Sequence, residues 1–197
     1  MRKFLLFILL IAFNFSVFGQ LDSLEKQVFD IEILKTKNYK KGIYMSFKEF
    51  QDNNPSIKNK ILVKESNELL QVFFGATTNI LALYNDSTNK FKRFRKENWG
   101  ACDGDNIYIR FHGNYFKVSL DGKYSYFEEY GYGTGDNYYD NDYVLNIITN
   151  ECIRLTKKNI TKLLEKEDRK LLEEFENENK KKTKLTDYVL RVNSLYK

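Results

Sequence analysis

The chain carries one histidine, one proline, one tryptophan and two cysteines in 197 residues. These scarcities exclude several kinds of chemistry. Zinc takes three or four His, Cys or carboxylate ligands at suitable spacing, and His112, Cys102 and Cys152 do not supply them. No G-x-S-x-G segment occurs, so a hydrolase triad has no nucleophile. Gly131-Tyr132-Gly133-Thr134-Gly135 is glycine-rich but departs from G-x-G-x-x-G, and no helix is expected after it to offer amides to a phosphate. His112 sits beside Gly113 in an expected turn and reads as a surface residue. Asp136, Asp140 and Asp142, with Asn137 and Asn141, carry oxygen donors, but Tyr138 stands where a calcium loop needs Asp or Asn, so the segment reads as a solvated acidic loop. No metal and no cofactor is expected.

The N-terminus is the one place with a long apolar run. Arg2 and Lys3 precede Phe4 to Phe13, and Val17 and Gly19 are small enough for signal peptidase at −3 and −1. The run is too short to span a membrane well. The reading is a secretory signal peptide over 1–19, with Gln20 to Lys197 as one β-rich domain and no transmembrane helix after cleavage. No Cys follows the run, which argues against a lipoprotein. The expected address is the periplasm, the outer-membrane surface or the medium. Removing Arg2 and Lys3 lowers the formal charge of +5 by two. That is weak for a nucleic-acid binder, and an exported protein meets little nucleic acid. An oxidising compartment permits a disulfide between Cys102 and Cys152, with two buried thiols as the other reading.

The central signal is Trp99 to Phe127. His112-Gly113-Asn114 and Asp121-Gly122 cut it into three runs of period two, with Ile107, Ile109 and Phe111 on one face and Tyr108 and Arg110 on the other. In the next run Phe116, Val118 and Leu120 share a face. This predicts a half-buried antiparallel meander, with the Asp-Gly pair as a tight hairpin turn. Before it, Leu21 to Lys37 fits both helix and strand periods. Ser46 and Glu49 form a capping box for a short helix from Phe47 to about Asp52, with Met45 and Phe50 as its staple and Pro55 as its stop. Strands are expected at 57–64, 69–74, 80–84 and 90–95, with 85–89 as a turn. The basic run Lys90, Lys92, Arg93, Arg95 and Lys96 interleaves Phe91 and Phe94. It reads as a strand with a wet outer face, an anionic-polymer patch being the functional alternative.

Towards the C-terminus, 143–149 and 152–156 pair across Asn150-Glu151. Asn159 and Asp168 are placed to cap two helices, and Leu185, Tyr188, Val189, Val192 and Tyr196 form an apolar stripe on a third. The fold class expected is α+β: mainly antiparallel β, as a sheet or open barrel, followed by about three helices. Between these regions, Glu128 to Asn141 reads as a long loop rich in Gly and Tyr. Tyr138 or Tyr139 is expected to fold back on the sheet, leaving Tyr130 and Tyr132 exposed as weak binding candidates that stack on a partner.

Gly42-Ile43-Tyr44-x-Ser46-Phe47-x-x-Phe50, Asn54-Pro55-Ser56-Ile57 and Trp99-Gly100-x-Cys102-Asp103-Gly104, with Asn193 near the end, resemble an uncharacterised family of small exported proteins of Gram-negative bacteria. The resemblance implies a fold and an address but no activity and no catalytic residue. Asp22-Ser23-Leu24 and Asp86-Ser87-Thr88 resemble a short O-glycosylation acceptor pattern of such proteins. Two functional readings follow. One is a non-enzymatic envelope or secreted binding or structural module, whose partner is an envelope protein or a glycan. The other is a carboxylate-based glycan hydrolase using Glu128, Glu129 or Asp136.

Overall fold

The computed structural model describes residues 31–36, 38–58, 60–64, 80–132, 138–178 and 184–196. The signal peptide, Ser23, the expected strand at 69–74 and Asp136 lie outside these. The elements in order are α1 (Glu32–Lys35), β1 (Gly42–Tyr44), α2 (Phe47–Gln51), β2 (Ile61–Lys64), β3 (Ile80–Asn85), β4 (Lys90–Arg93), β5 (Gly100–Cys102), β6 (Ile107–Phe111), β7 (Asn114–Val118), β8 (Tyr124–Tyr132), β9 (Tyr138–Asn146), β10 (Glu151–Arg154), α3 (Lys157–Glu167), α4 (Arg169–Asn177) and α5 (Leu185–Ser194). The strands form three antiparallel sheets, β2-β3-β4, β1-β5-β6-β7 and β10-β9-β8, rather than a closed barrel. The α+β, mainly antiparallel fold expected from the sequence is what forms.

Strand alternation stacks these sheets. In the four-stranded sheet, Ile43, Ala101, Tyr108 and Tyr115 face Ile61 and Leu81 of the β2-β3-β4 sheet. The other face carries Tyr44, Cys102, Ile107, Ile109, Phe116 and Val118 and packs on Phe127, Tyr143 and Leu145 of the β10-β9-β8 sheet. That sheet turns Tyr124 and Val144 to the helices, where Ile160, Leu164, Phe175, Val189 and Val192 cover them. The layers are therefore sheet, sheet, sheet, helices. This corrects the half-buried reading of the meander. Its tyrosine face is also covered, with Tyr108 and Tyr115 at 8% and 6% exposure. A tyrosine suits either an apolar or a wet face, so period two alone does not reveal a second covering sheet.

Two turn readings part ways. His112 and Gly113 have φ of 48° and 82° and join β6 to β7 as a two-residue turn, with Phe111 opposite Asn114. Positive φ at both central positions is what a twist-matched hairpin needs. Asp121-Gly122 does not make the tight hairpin expected. β7 and β8 belong to different sheets, and the chain between them pairs its backbone at the single Ser119–Tyr126 bridge. The Tyr124 amide donates instead to Asn193 Oδ1 at 2.9 Å, and Asn193 Nδ2 donates to the Tyr124 carbonyl at 2.8 Å. The helix-borne amide takes the place of a partner strand. Gly122 leaves room for it, since a Cβ there would stand 3.0 Å from Asn193 Cγ.

Glu128 to Asn141 is not a long loop either. β8 and β9 pair through nine register positions, from Tyr124–Asn146 to Tyr132–Tyr138. Tyrosine favours strands, and glycine near a strand end does not stop them. The capping box holds in its first half: the Glu49 amide donates to Ser46 Oγ at 3.2 Å. The Glu49 carboxylate, however, accepts from the Met45 amide at 2.8 Å and from Ser56, rather than from the cap's own amide. The Met45–Phe50 staple gives way to packing in two different clusters, Met45 with Ile43 and Phe50 with Tyr44. α2 ends before Pro55. α3 is capped by Thr156, three residues before Asn159, whose amide Thr156 Oγ1 accepts at 3.2 Å. Asp168 caps α4 as expected, accepting from Leu171 N at 3.0 Å.

Candidate functional site

Two grooves meet at Arg110 and Gly113. The first, of about 520 Å³, is lined by Met45, Ser46, Phe47, Trp99, Asn98 and Asn150, among others. The second, of about 310 Å³, is lined by Arg93, Phe94, Arg95, Lys96 and Tyr115, among others. Local structure places each wall. The Trp99 amide donates to the Tyr44 carbonyl at 2.9 Å, and the Arg110 amide donates to the Trp99 carbonyl at 2.8 Å, which ties the segment to β1 and β6. Gly100 follows Trp99 because a Cβ there would meet the Tyr108 carbonyl oxygen at 2.3 Å.

The Trp99 ring is held on three sides. It stacks on Phe50 at 4.1 Å and leans on Phe47 at 5.6 Å. Its Nε1 donates to Asn150 Oδ1 at 2.7 Å, in the turn between β9 and β10. Such stacked pairs contribute about 0.5–1.5 kcal/mol beyond burial. The result is a rigid aromatic shelf along one groove.

Among the described residues, the ion-pair partner of Arg110 is Glu97, 3.9 Å away on a side chain that is 97% exposed. Solvent screening leaves such a pair nearly worthless as a structural contact. Glu97 is also the one carboxylate among the described lining residues of both grooves, against the cations of Arg93, Arg95, Lys96 and Arg110. Burial pushes the Tyr115 phenol above its ordinary pKa, while the Asn98 bond and the charges of Arg110 and Arg93 pull it down.

Asn98 lines the first groove and bonds to Tyr115 of the second. Its Nδ2 donates to the Lys96 carbonyl at 3.0 Å and to the Tyr115 hydroxyl at 2.7 Å. Its Oδ1 is buried with no protein partner. Flipping the amide would set that oxygen against the Lys96 carbonyl, so the orientation is fixed by the network. A buried acceptor left without a donor costs about 1–3 kcal/mol.

The residues singled out from sequence fall elsewhere. β4 is exposed at all four positions, which agrees with a wet face. Arg93, Arg95 and Lys96 nonetheless continue past that face into the groove, and that juxtaposition was not legible from spacing. Tyr130 and Tyr132 lie in β8 opposite Asp140 and Tyr138. The expected exposure of these two rings, and the packing of Tyr138 and Tyr139, fall outside the side chains described. Asp140 and Asp142 lie on β9 rather than in a solvated loop. Ser87 is exposed in the β3–β4 turn.

Glu128 and Glu129 are consecutive in β8 and point to opposite faces. Glu128 accepts from the Tyr126 hydroxyl, 2.6 Å away, which also lies 2.5 Å from Asp142 Oδ1. Glu129 faces His112 Nδ1 at 3.1 Å and accepts from the Tyr143 hydroxyl at 3.1 Å. The two cannot flank one scissile bond. His112 stacks on Phe111 with its side chain 60% exposed, a surface turn residue as expected. Both cysteines are free thiols. Burial pushes each up to about 11, so neither is poised as a nucleophile.

The site missed by sequence reasoning is a clasp between the helices and the sheets. Lys123, 3% exposed, donates from Nζ to Glu167 Oε1 and Oε2 at 2.9 and 2.7 Å and to the Tyr196 hydroxyl at 2.8 Å. The Tyr124 hydroxyl donates to Glu167 Oε1 at 2.8 Å, and the Tyr196 hydroxyl donates to Oε2. Burial alone would raise the Glu167 pKa. The hydrogen bonds from Lys123, Tyr196 and Tyr124 and the Lys123 charge outweigh it and hold the carboxyl below its ordinary value. Every partner here is satisfied, so the cluster binds the helices rather than a ligand.

No curated protein and no solved structure matches the chain. A family model described as a family of unknown function (DUF6563) matches residues 42–142, a little over half the chain. The match takes in both groove walls, from Met45 to Tyr115, but not Asn150 or the C-terminal helices. On that match the chain belongs to the DUF6563 family, a family of unknown function.

Proposed function

We propose that this chain is an exported, non-enzymatic binding module that takes its ligand in the groove centred on Arg110. The observation that carries the reading is the convergence of four cations on one cleft beside an aromatic shelf, with one almost fully exposed carboxylate among the described lining residues to answer them. The residues suit holding better than transforming. A guanidinium does not give up its proton at working pH, and the Trp99 indole N–H is already engaged. Glu128 and Glu129 point to opposite faces of β8 and line neither groove at Arg110, which weighs against the carboxylate hydrolase. Export rests on Arg2, Lys3, the apolar Phe4 to Phe13 and the small residues Val17 and Gly19. Amino-terminal sequencing of material released by the cell should begin at Gln20, and an intact Met1 would refute that half.

Trp99 is the single tryptophan, so its emission reports on the groove. Titration with peptides and with neutral and acidic glycans should give a saturable emission change for at least one class, and R110E should abolish it. Emission that stays flat for every class, or binding that R110E leaves intact, would overturn the groove. A double Y130A/Y132A variant places the site. Loss of binding there with R110E unaffected would move the contact to the β8–β9 hairpin.

A further inference from the structure

Deepening that reading, and resting on it, we infer that the groove takes an acidic glycan: a chain of uronate-type sugar rings. Two features converge on that chemistry. The first is the charge. Arg93, Arg95, Lys96 and Arg110 line the cleft, and planar carboxylates match guanidinium forks in a bidentate way that point anions do not exploit. The second is the shelf. Phe47 and Trp99 run beside Arg110 in the adjoining groove, and the apolar face of a pyranose ring packs on a flat aromatic surface. A ring on the shelf and its carboxylate on Arg110 are then satisfied together.

The alternatives fit less well. Nucleic acid calls for a broader basic field than a chain of formal charge +5, two units of which sit at Arg2 and Lys3. An acidic peptide would answer the cations but leave the flat shelf unused, since peptides anchor by side chains in pockets or by strand addition at an edge.

The test uses the full mature chain and Trp99 emission, with oligogalacturonate as the probe and neutral dextran, poly-glutamate and oligo-thymidylate as the other arms. Oligogalacturonate should bind saturably, weaken as salt is raised, and outcompete the other three. R95E/K96E should weaken it at least about tenfold, a charge-assisted contact being lost at each position. F47A should weaken it while poly-glutamate binding, if any, stays unchanged. K158E, on an exposed lysine outside the groove lining, should leave it unchanged. Melting curves on every variant separate loss of the ligand from loss of the fold. Equal binding of dextran, tighter binding of poly-glutamate or oligo-thymidylate, or indifference to R95E/K96E would overturn the inference. If poly-glutamate alone moves Trp99 in an Arg110-dependent way, the groove stands and the glycan falls. If no arm moves it, both fall.

Discussion

The two ends of the stack use cations in opposite ways. At the helical end Lys123 is buried, paired to both oxygens of Glu167 and bonded to a tyrosine hydroxyl. At the groove Arg110 is half-buried and faces a carboxylate 3.9 Å away that is almost wholly in water. The first arrangement is closed: donors and acceptors match and no ligand is needed. The second is open, with charge and aromatic surface left over among the described residues. A cation already answered by the protein is holding structure, whereas cations gathered without an answer are available to something else. Breaking each arrangement should therefore have different consequences.

The largest effect on stability is expected at the clasp. Lys123→Ala leaves the Glu167 carboxylate buried without its cation, which costs roughly 3–5 kcal/mol. Denaturant unfolding reads this directly, and a loss under ~1 kcal/mol would show that the pair does not hold the helices. Lys123→Met with Glu167→Leu should recover only part of the loss, since it removes the stranded charge but takes the acceptor from the buried Tyr124 and Tyr196 hydroxyls.

Acid comes next. Glu167 is held below its ordinary value of 4.5, so its contribution is fully present above that value and is lost as pH falls through the lower folded value. Glu49 and Asp103 are shifted the same way: in each, burial pushes up and hydrogen bonds, from Ser56 and the Met45 amide or from the Asn106 and Asp105 amides, pull down further. Stability measured against pH should decline on acidification below about 4.5. Glu167→Gln should flatten the decline more than Glu49→Gln, because the Glu167 side chain is 2% exposed. A curve unmoved by Glu167→Gln would count against an ionised clasp.

Smaller effects probe the caps on either side of the comparison. Ser46→Ala beside the groove and Asp168→Ala beside the clasp each remove one acceptor from a helix start, at about 1 kcal/mol. If Ser46→Ala also weakens ligand capture by more than its stability cost explains, the hydroxyl touches the ligand as well as the helix. The smallest stability effect is expected at Arg110. Arg110→Gln should change unfolding by no more than ~0.5 kcal/mol while removing groove binding. A fall in melting temperature comparable to the clasp variants would make Arg110 a structural residue and end the contrast.

What the sequence alone determined is local. Ser46 caps α2 because its oxygen reaches an amide three residues on, and Asp168 does the same for α4. His112-Gly113 makes its turn because two adjacent residues can hold positive φ. The stripe of Leu185, Tyr188, Val189 and Val192 gives α5 its buried face, with Tyr196 just past its end, because the helical repeat is a property of the segment itself. Each code acts within a few residues and needs no knowledge of the rest of the chain.

Only the tertiary structure decided what the charges mean and where tight turns fail. Lys123 and Glu167 are 44 residues apart, and Asn193 displaces the partner strand that Asp121-Gly122 had promised from 69 residues beyond Tyr124. The hairpin from Tyr124 to Asn146 overrode a glycine-rich pattern because nine paired positions outweigh a weak local preference. The groove gathers Phe47, Trp99, Arg110 and Asn150 from four separate segments. Whether a cation in this chain is paired or open depends on which carboxylates the stacking of sheets brings within a few ångströms, and that distance is set by the packing of distant segments, not by residues adjacent in sequence.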